Sequence, residues 1–288
     1  MPPTSPTVHR RQLGAELRRL REAAGLRVED AAAALKCSPS RVSRIEIGHG
    51  RGVAKPTDVR ILCELYKVND ERQVDMLLNM LSLVSQQRGW WEDFGRVLPS
   101  GLEVYVGLES DARAERCWEP LLVHGLLQTP EYARAVFQMG GRHAPTDIDD
   151  LVEIRMERQK LLTREDSPLE VWAIFDEVVL RRPLGGVDVM RDQLRHLAEV
   201  TELPNVAIQV VPLSMGANPG LTGAFSILEF EDASPVVYVE SRAGNLYVEK
   251  RADVRLHTTA FDLLRSMALA PAESIALLKQ AVEDIDDP

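Results

Sequence analysis

Three residues, Lys36, Cys37 and Ser38, separate two helical patterns, and that spacing restricts what the surrounding chain can become. The first pattern, Val28 to Leu35, is rich in alanine. Glu29 and Asp30 lie in its first turn, where the helix dipole favours carboxylates. Ala31, Ala32 and Leu35 form a face small enough for another helix to cross closely. The second pattern runs from Ser38 to Gly48. Ser38 is placed to cap the first free N–H groups, Pro39 suits the first helical position, and Gly48 is a natural stop. Two helices joined by so short a turn make a helix-turn-helix, whose second helix lies in the DNA major groove while the first crosses the backbone.

Within the second helix, Val42 and Ile45 are three apart and share one face, which predicts a buried back. Ser40, Arg41, Ser43 and Arg44 fall on the remaining surface. Serines there suit phosphates or base edges, and arginines suit guanine or phosphate. The candidate DNA contacts are therefore Ser38, Ser40, Arg41, Ser43 and Arg44. Glu46 would be repelled by phosphates, so its expected role is to orient an arginine or cap a turn. The basic loop after Gly48 adds Arg51 and Lys55 as candidate phosphate contacts. Thr57 is expected to cap a further helix whose apolar side is Val59, Leu62, Cys63 and Tyr66. Upstream, Leu13, Leu17, Leu20 and Ala24 form one helical stripe closed by Gly25.

Charge supports a DNA-binding head. The net charge of −10 conceals +6 over residues 1–69 and −16 over the rest. A basic head on an acidic body localises nucleic-acid contact to one end. Cys37, Cys63 and Cys117 are few, odd in number and widely spaced, which argues against a disulfide framework or zinc site and for a reducing cytoplasm. No apolar run approaches the ~18 residues of a membrane span, and residues 1–8 read as a flexible tail.

The run Ser38-x-x-x-Val42-Ser43-Arg44-Ile45-Glu46-x-Gly48, after an alanine-rich helix, resembles the XRE or lambda-repressor-like helix-turn-helix domains over about residues 9–69. The resemblance implies an all-α domain of about five helices that binds double-stranded DNA as a homodimer. Two residues depart from the pattern. Lys36 stands where that family usually has glycine, so it must accept a left-handed turn. Pro39 replaces a frequent glutamine, which moves base reading to Ser40, Arg41 and Arg44.

Residues 70–99 read as a helical connector, with Val74, Leu77, Leu78, Leu81 and Val84 on one stripe that can pack on the head or pair with a second copy. Trp90, Trp91 and Phe94 follow, as a linker anchor or a partner site. Residues 100–284 read as a mixed α+β domain with four to five strands. Helices are expected over 108–118, after Thr129-Pro130, from Thr146, over 187–203, 254–267 and 271–283. Strands are expected at 169–175, 205–211, 224–230 and 236–240, the last two joined through Asp232, with a fifth candidate at 246–248.

The stretches Cys117 to Ala135, Arg158-Gln159, Asp176 to Arg182 and Val236 to Glu240 resemble the C-terminal domain of actinobacterial WhiJ-type regulators, although His124 stands where proline is common. The resemblance implies a transcriptional regulator of development or secondary metabolism with an antitoxin-like body, acting with a small protein encoded by a neighbouring gene. A catalytic constellation is not apparent. The histidines lack metal-ligand spacing, and there is no G-x-S-x-G, Walker or G-x-G-x-x-G pattern. Asp176-Glu177 reads as the acidic start of a short helix. The expected function is a non-enzymatic, cofactor-free repressor binding a palindromic operator, with a body for dimerisation and for sensing a partner or ligand. The competing reading is an antitoxin-like interaction module. In either case Trp90, Trp91, His124, Gln128, Tyr132 and the loop 214–223 are the candidate partner or effector site.

Overall fold

The computed structural model describes residues 6–48, 54–86, 90–94, 97–98, 101–139, 141, 144–231, 233–241 and 244–285. They fall into two compact units, one within residues 1–95 and 99–111, the other within 96–98 and 112–288. The expected Asp232 turn and Arg51 lie outside the described residues.

Five helices build the head of the first unit: α1 (Pro6–Ala23), α2 (Val28–Ala34), α3 (Pro39–Ile47), α4 (Pro56–Leu65) and α5 (Glu71–Gln86). Leu13, Leu17 and Leu20 of the expected α1 stripe are buried against Ala31, Ala32, Val42, Ile45, Val59 and Leu62, whereas Ala24, expected on the same stripe, is exposed in the turn after the helix. Complete burial of each leucine stabilises by roughly 1.5–3 kcal/mol. The connector helix α5 joins this core through Leu77 and Leu81. A sixth helix, α6 (Leu102–Asp111), also packs against α1.

The turn between α2 and α3 is closed by two backbone bonds, Cys37 N–H to Ala32 O (2.9 Å) and Lys36 N–H to Ala33 O (3.1 Å). That is a Schellman end, whose pivotal residue must be left-handed. Lys36 fills it with φ 52°, the strained geometry expected where glycine is absent. Lys36→Gly should therefore raise the urea midpoint of the first unit, by about 1 kcal/mol of stability. A lower midpoint would show that the lysine side chain contributes more than its backbone costs.

Two capping expectations are corrected. Ser38 occupies the cap position of α3, but its side chain makes no capping bond; it is exposed, and water can serve the free N–H groups of the first turn. Thr57 lies inside α4. There Asp58 reaches back instead, its Oδ2 accepting from Lys55 N–H at 2.9 Å.

Among the described residues the second unit is built on one six-stranded sheet in the order β3-β2-β1-β4-β5-β6: β1 (Ala114–Glu119), β2 (Glu170–Asp176), β3 (Val206–Val211), β4 (Phe225–Glu229), β5 (Val236–Ser241) and β6 (Gly244–Val248). β1, β2 and β3 are parallel neighbours, and the β1–β4, β4–β5 and β5–β6 pairs are antiparallel. Helices α7 (Pro130–Met139) and α8 (Pro145–Gln159) link β1 to β2, and α9 (Val178–Arg181) and α10 (Val187–Val200) link β2 to β3. α11 (Arg251–Met267) and α12 (Pro271–Asp284) end the chain.

The sheet corrects the expected helix at 108–118, which divides into the end of α6 and strand β1, giving six strands rather than four or five. Ala-Glu-Arg-Cys-Trp-Glu has little strand propensity of its own. It is extended because β2 and β4 bond it on both sides, so pairing overrides propensity. Trp118 then enters the cluster formed with Ile174, Phe225, Ile227, Phe261 and Leu264, and its indole N–H donates to Gly220 O at 2.9 Å.

Candidate nucleic-acid interface

Helix α3 is fixed from behind by packing and by a buried ion pair. Val42 is fully buried and Ile45 nearly so. Arg21 of α1 forks onto Glu46, Nε to Oε1 at 2.7 Å and Nη2 to Oε2 at 2.9 Å, while its Nη1 donates to Leu26 O at 2.8 Å. Of the two roles expected for Glu46, orienting an arginine or capping a turn, the structure shows the first. Burial of the Tyr66 phenol, with the Glu46 charge beside it, pushes its pKa up. Gly14 of α1 permits the close crossing: a Cβ there would lie 2.6 Å from Glu46 O and closer still to Ile45 O.

The opposite side of α3 carries the predicted contacts. Ser38, Ser40 and Arg44 are exposed, and Ser43 is half-buried. Arg44 combines exposure with a fixed helix beneath it, which suits a bidentate donor aimed into a groove. Arg41 stands differently. It is half-buried, and its Nη2 donates to Asp58 Oδ2 at 2.6 Å. That bond, with the Cys37 sulfur nearby, holds the guanidinium above its usual range. Asp58 Oδ2 therefore gathers Arg41 and the Lys55 backbone and joins α3 to the start of α4. The Lys55 side chain is exposed beside it. On α1, Arg18 and Arg19 are paired with Glu22 and Glu16 on exposed surface.

Sequence reasoning did not single out Asp58, Gly14 or the Arg21–Glu46 pairing. Asp58 sits three residues after the cap position, a legible pattern for a helix start. Gly14, a glycine inside a leucine stripe, was also a visible flag. The pairing of residues 25 apart left no local trace.

The candidate partner residues fall in both units. Trp90 and Trp91 belong to the first, with rings 5.9 Å apart edge to face and Trp91 buried. His124, Gln128 and Tyr132 belong to the second and are all buried. They frame the turn after β1: Gln128 Nε2 donates to Val123 O at 2.7 Å, and the Val123 N–H donates to the Tyr132 hydroxyl at 3.2 Å. His124 Nδ1 accepts from Leu126 N–H, and its Nε2 lies 3.2 Å from Glu115 Oε1. Nearby, burial pushes the Glu119 carboxyl up to about 7. Asp176 and Glu177 likewise serve the backbone, accepting from the N–H groups of Val178 and Leu213. Among the described residues no cluster of side chains is arranged to hold a metal ion, and no helix is long and apolar enough to cross a membrane.

A buried-backed second helix after a tight turn, with serines and an arginine outward, defines a helix-turn-helix protein of the DNA-binding regulator class. Comparison with family models agrees: residues 12–76 match a helix-turn-helix domain. Residues 102–280 match a domain of unknown function, DUF5753, and the chain belongs to that family. No curated protein and no solved structure matches the chain.

Proposed function

We propose that the protein is a transcriptional repressor of the XRE type that binds a palindromic operator as a dimer. The observation that carries this reading is α3 itself, locked to α1 by the Arg21–Glu46 fork and presenting Arg44 outward. In this reading Arg44 reads bases and Ser38, Ser40 and Ser43 bond phosphates or base edges. Lys55 and Arg51 neutralise phosphates. Arg41 holds the α3–α4 angle through Asp58 and contributes charge at the groove edge. The acidic second unit dimerises and senses a partner or ligand, the small partner protein being what the WhiJ resemblance implies, and the protein works at the nucleoid without catalytic chemistry.

The test is a mobility-shift titration on an operator obtained by selection from genomic fragments. Arg44→Ala should weaken binding by roughly 1–3 kcal/mol and relax preference at one base position, with unchanged thermal stability. Lys55→Ala should weaken all sequences alike and reduce the salt slope by about one counterion. Wild-type binding by Arg44→Ala would remove α3 as the reading helix.

A further inference from the structure

The outer side of α11 carries a stripe for which the second unit has no internal use. Val254, Phe261 and Leu264 turn inward and are buried against the sheet. At 100° per residue, Leu256 and Leu263 lie within about 20° of each other and opposite that inward side. They are 68% and 51% exposed. Ala252, Thr259 and Ser266 complete the line, and Ala252, Thr259 and Ser266 are exposed too. The spacing is four, three, four, three, the seam by which one helix packs along another.

The charges beside the seam select the occupant. Arg255 and Asp262 each precede a leucine of the seam by one residue, so both flank the same side. When two such helices run antiparallel, residues on this flank face each other across the seam. Arg255 then meets Asp262 of the partner subunit, and the arrangement repeats reciprocally about a two-fold axis near Thr259. A parallel pair would instead set Arg255 against Ala260 and Asp262 against Met267, with neither charge answered across the seam, Asp262 keeping only Arg265 of its own helix at 3.9 Å. A self-complementary patch of this kind is the signature of an isologous dimer. The body's overall acidity opposes the association weakly, because charges beyond about 8 Å are largely screened at physiological salt.

We infer that α11 is a homodimerisation surface, formed by antiparallel pairing of Leu256 and Leu263 seams and keyed by Arg255–Asp262 pairs. This rests on, and locates, the dimer of the proposed regulator. Sedimentation equilibrium on the full chain without DNA tests it. Wild type should be a dimer. Leu256→Glu with Leu263→Glu should weaken association by at least about tenfold, with circular dichroism unchanged because both side chains are exposed on the single chain, and with melting that no longer rises with protein concentration. Arg255→Asp alone should weaken the dimer, and Arg255→Asp with Asp262→Arg should restore it. A monomeric wild type, a dimer indifferent to the leucine changes, or a double charge swap that fails to restore pairing would each overturn the assignment. The regulator reading is tested apart from it: a monomer that still binds operator through Arg44 defeats this interface and leaves DNA binding standing.

Discussion

Glu46→Ala is expected to cost the first unit about 3–5 kcal/mol. The sign does not require the ion pair to be a net stabiliser. Taking two charges out of water costs several kcal/mol per ion, and a buried pair can merely break even against an apolar replacement. Removing one partner is another matter. Arg21 keeps its charge at any accessible pH and its side chain is 9% exposed, so alanine at position 46 would leave a buried guanidinium with only Leu26 O and a distant Glu22. That loss approaches the whole stability of a small domain. Hydrogen exchange on the full chain should show α1, α2 and α3 losing protection together while the β-sheet amides are unaffected. Glu46→Gln, which keeps an acceptor without the charge, should fall between alanine and wild type. Equal protection in Glu46→Ala and wild type would mean that Arg21 finds water, and that α3 is held by Val42 and Ile45 alone.

How far these features could be read from sequence depends on the range of the interaction that makes them. The three leucines of the α1 stripe, the α2–α3 turn and the stop at Gly48 are local, set by residues within one or two helical turns, and appear where the pattern placed them, while Ala24 falls just past the end of α1 and is exposed. Lys36 is a different case: the resemblance to XRE-type domains, rather than the local pattern, implies a glycine position there, and the lysine takes φ 52°. Glu46 was legible by exclusion, because a carboxylate has no place against phosphates. Its partner was not, because nothing near position 46 encodes which of several arginines on α1 reaches it. Arg41 shows the same limit from the other side. Its residue type and position suit DNA, and only the folded chain brings Asp58 within 2.6 Å of it. Strand β1 was misread because its extended form comes from neighbours 56 and more residues away in sequence, Glu170 on one side and Glu229 on the other. His124, Gln128 and Tyr132 were candidates for a partner or effector site. Burial turned them inward, where their hydrogen bonds serve the turn.

The second large effect is expected from Gly14. Gly14→Ala offers a helix about 1 kcal/mol of improved propensity. In the head it should instead destabilise by about 2–4 kcal/mol. The added Cβ would stand 2.6 Å from Glu46 O and 2.9 Å from Glu46 C, with Ile45 O nearer than either. Every obstructing atom is backbone, so no side chain can rotate away. α1 and α3 must part by about 1 Å to restore ordinary contact. That movement acts on two further points of the same crossing. Gly48 is also tight, though less so, since a Cβ there would lie 2.8 Å from Arg11 Cα, and the Arg21–Glu46 fork, at 2.7 and 2.9 Å, has no slack to lengthen. Gly14→Ala should thus lower the urea midpoint of the first unit and also weaken operator binding in the fraction that stays folded, because α3 is re-aimed. The two causes separate in a double-mutant cycle. If the crossing is one unit, Gly14→Ala combined with Glu46→Ala should cost clearly less than the sum of the single changes, by 0.5 to about 3 kcal/mol, as for residues sharing one contact. Simple additivity would place the Gly14 contact and the ion pair in independent parts of the head.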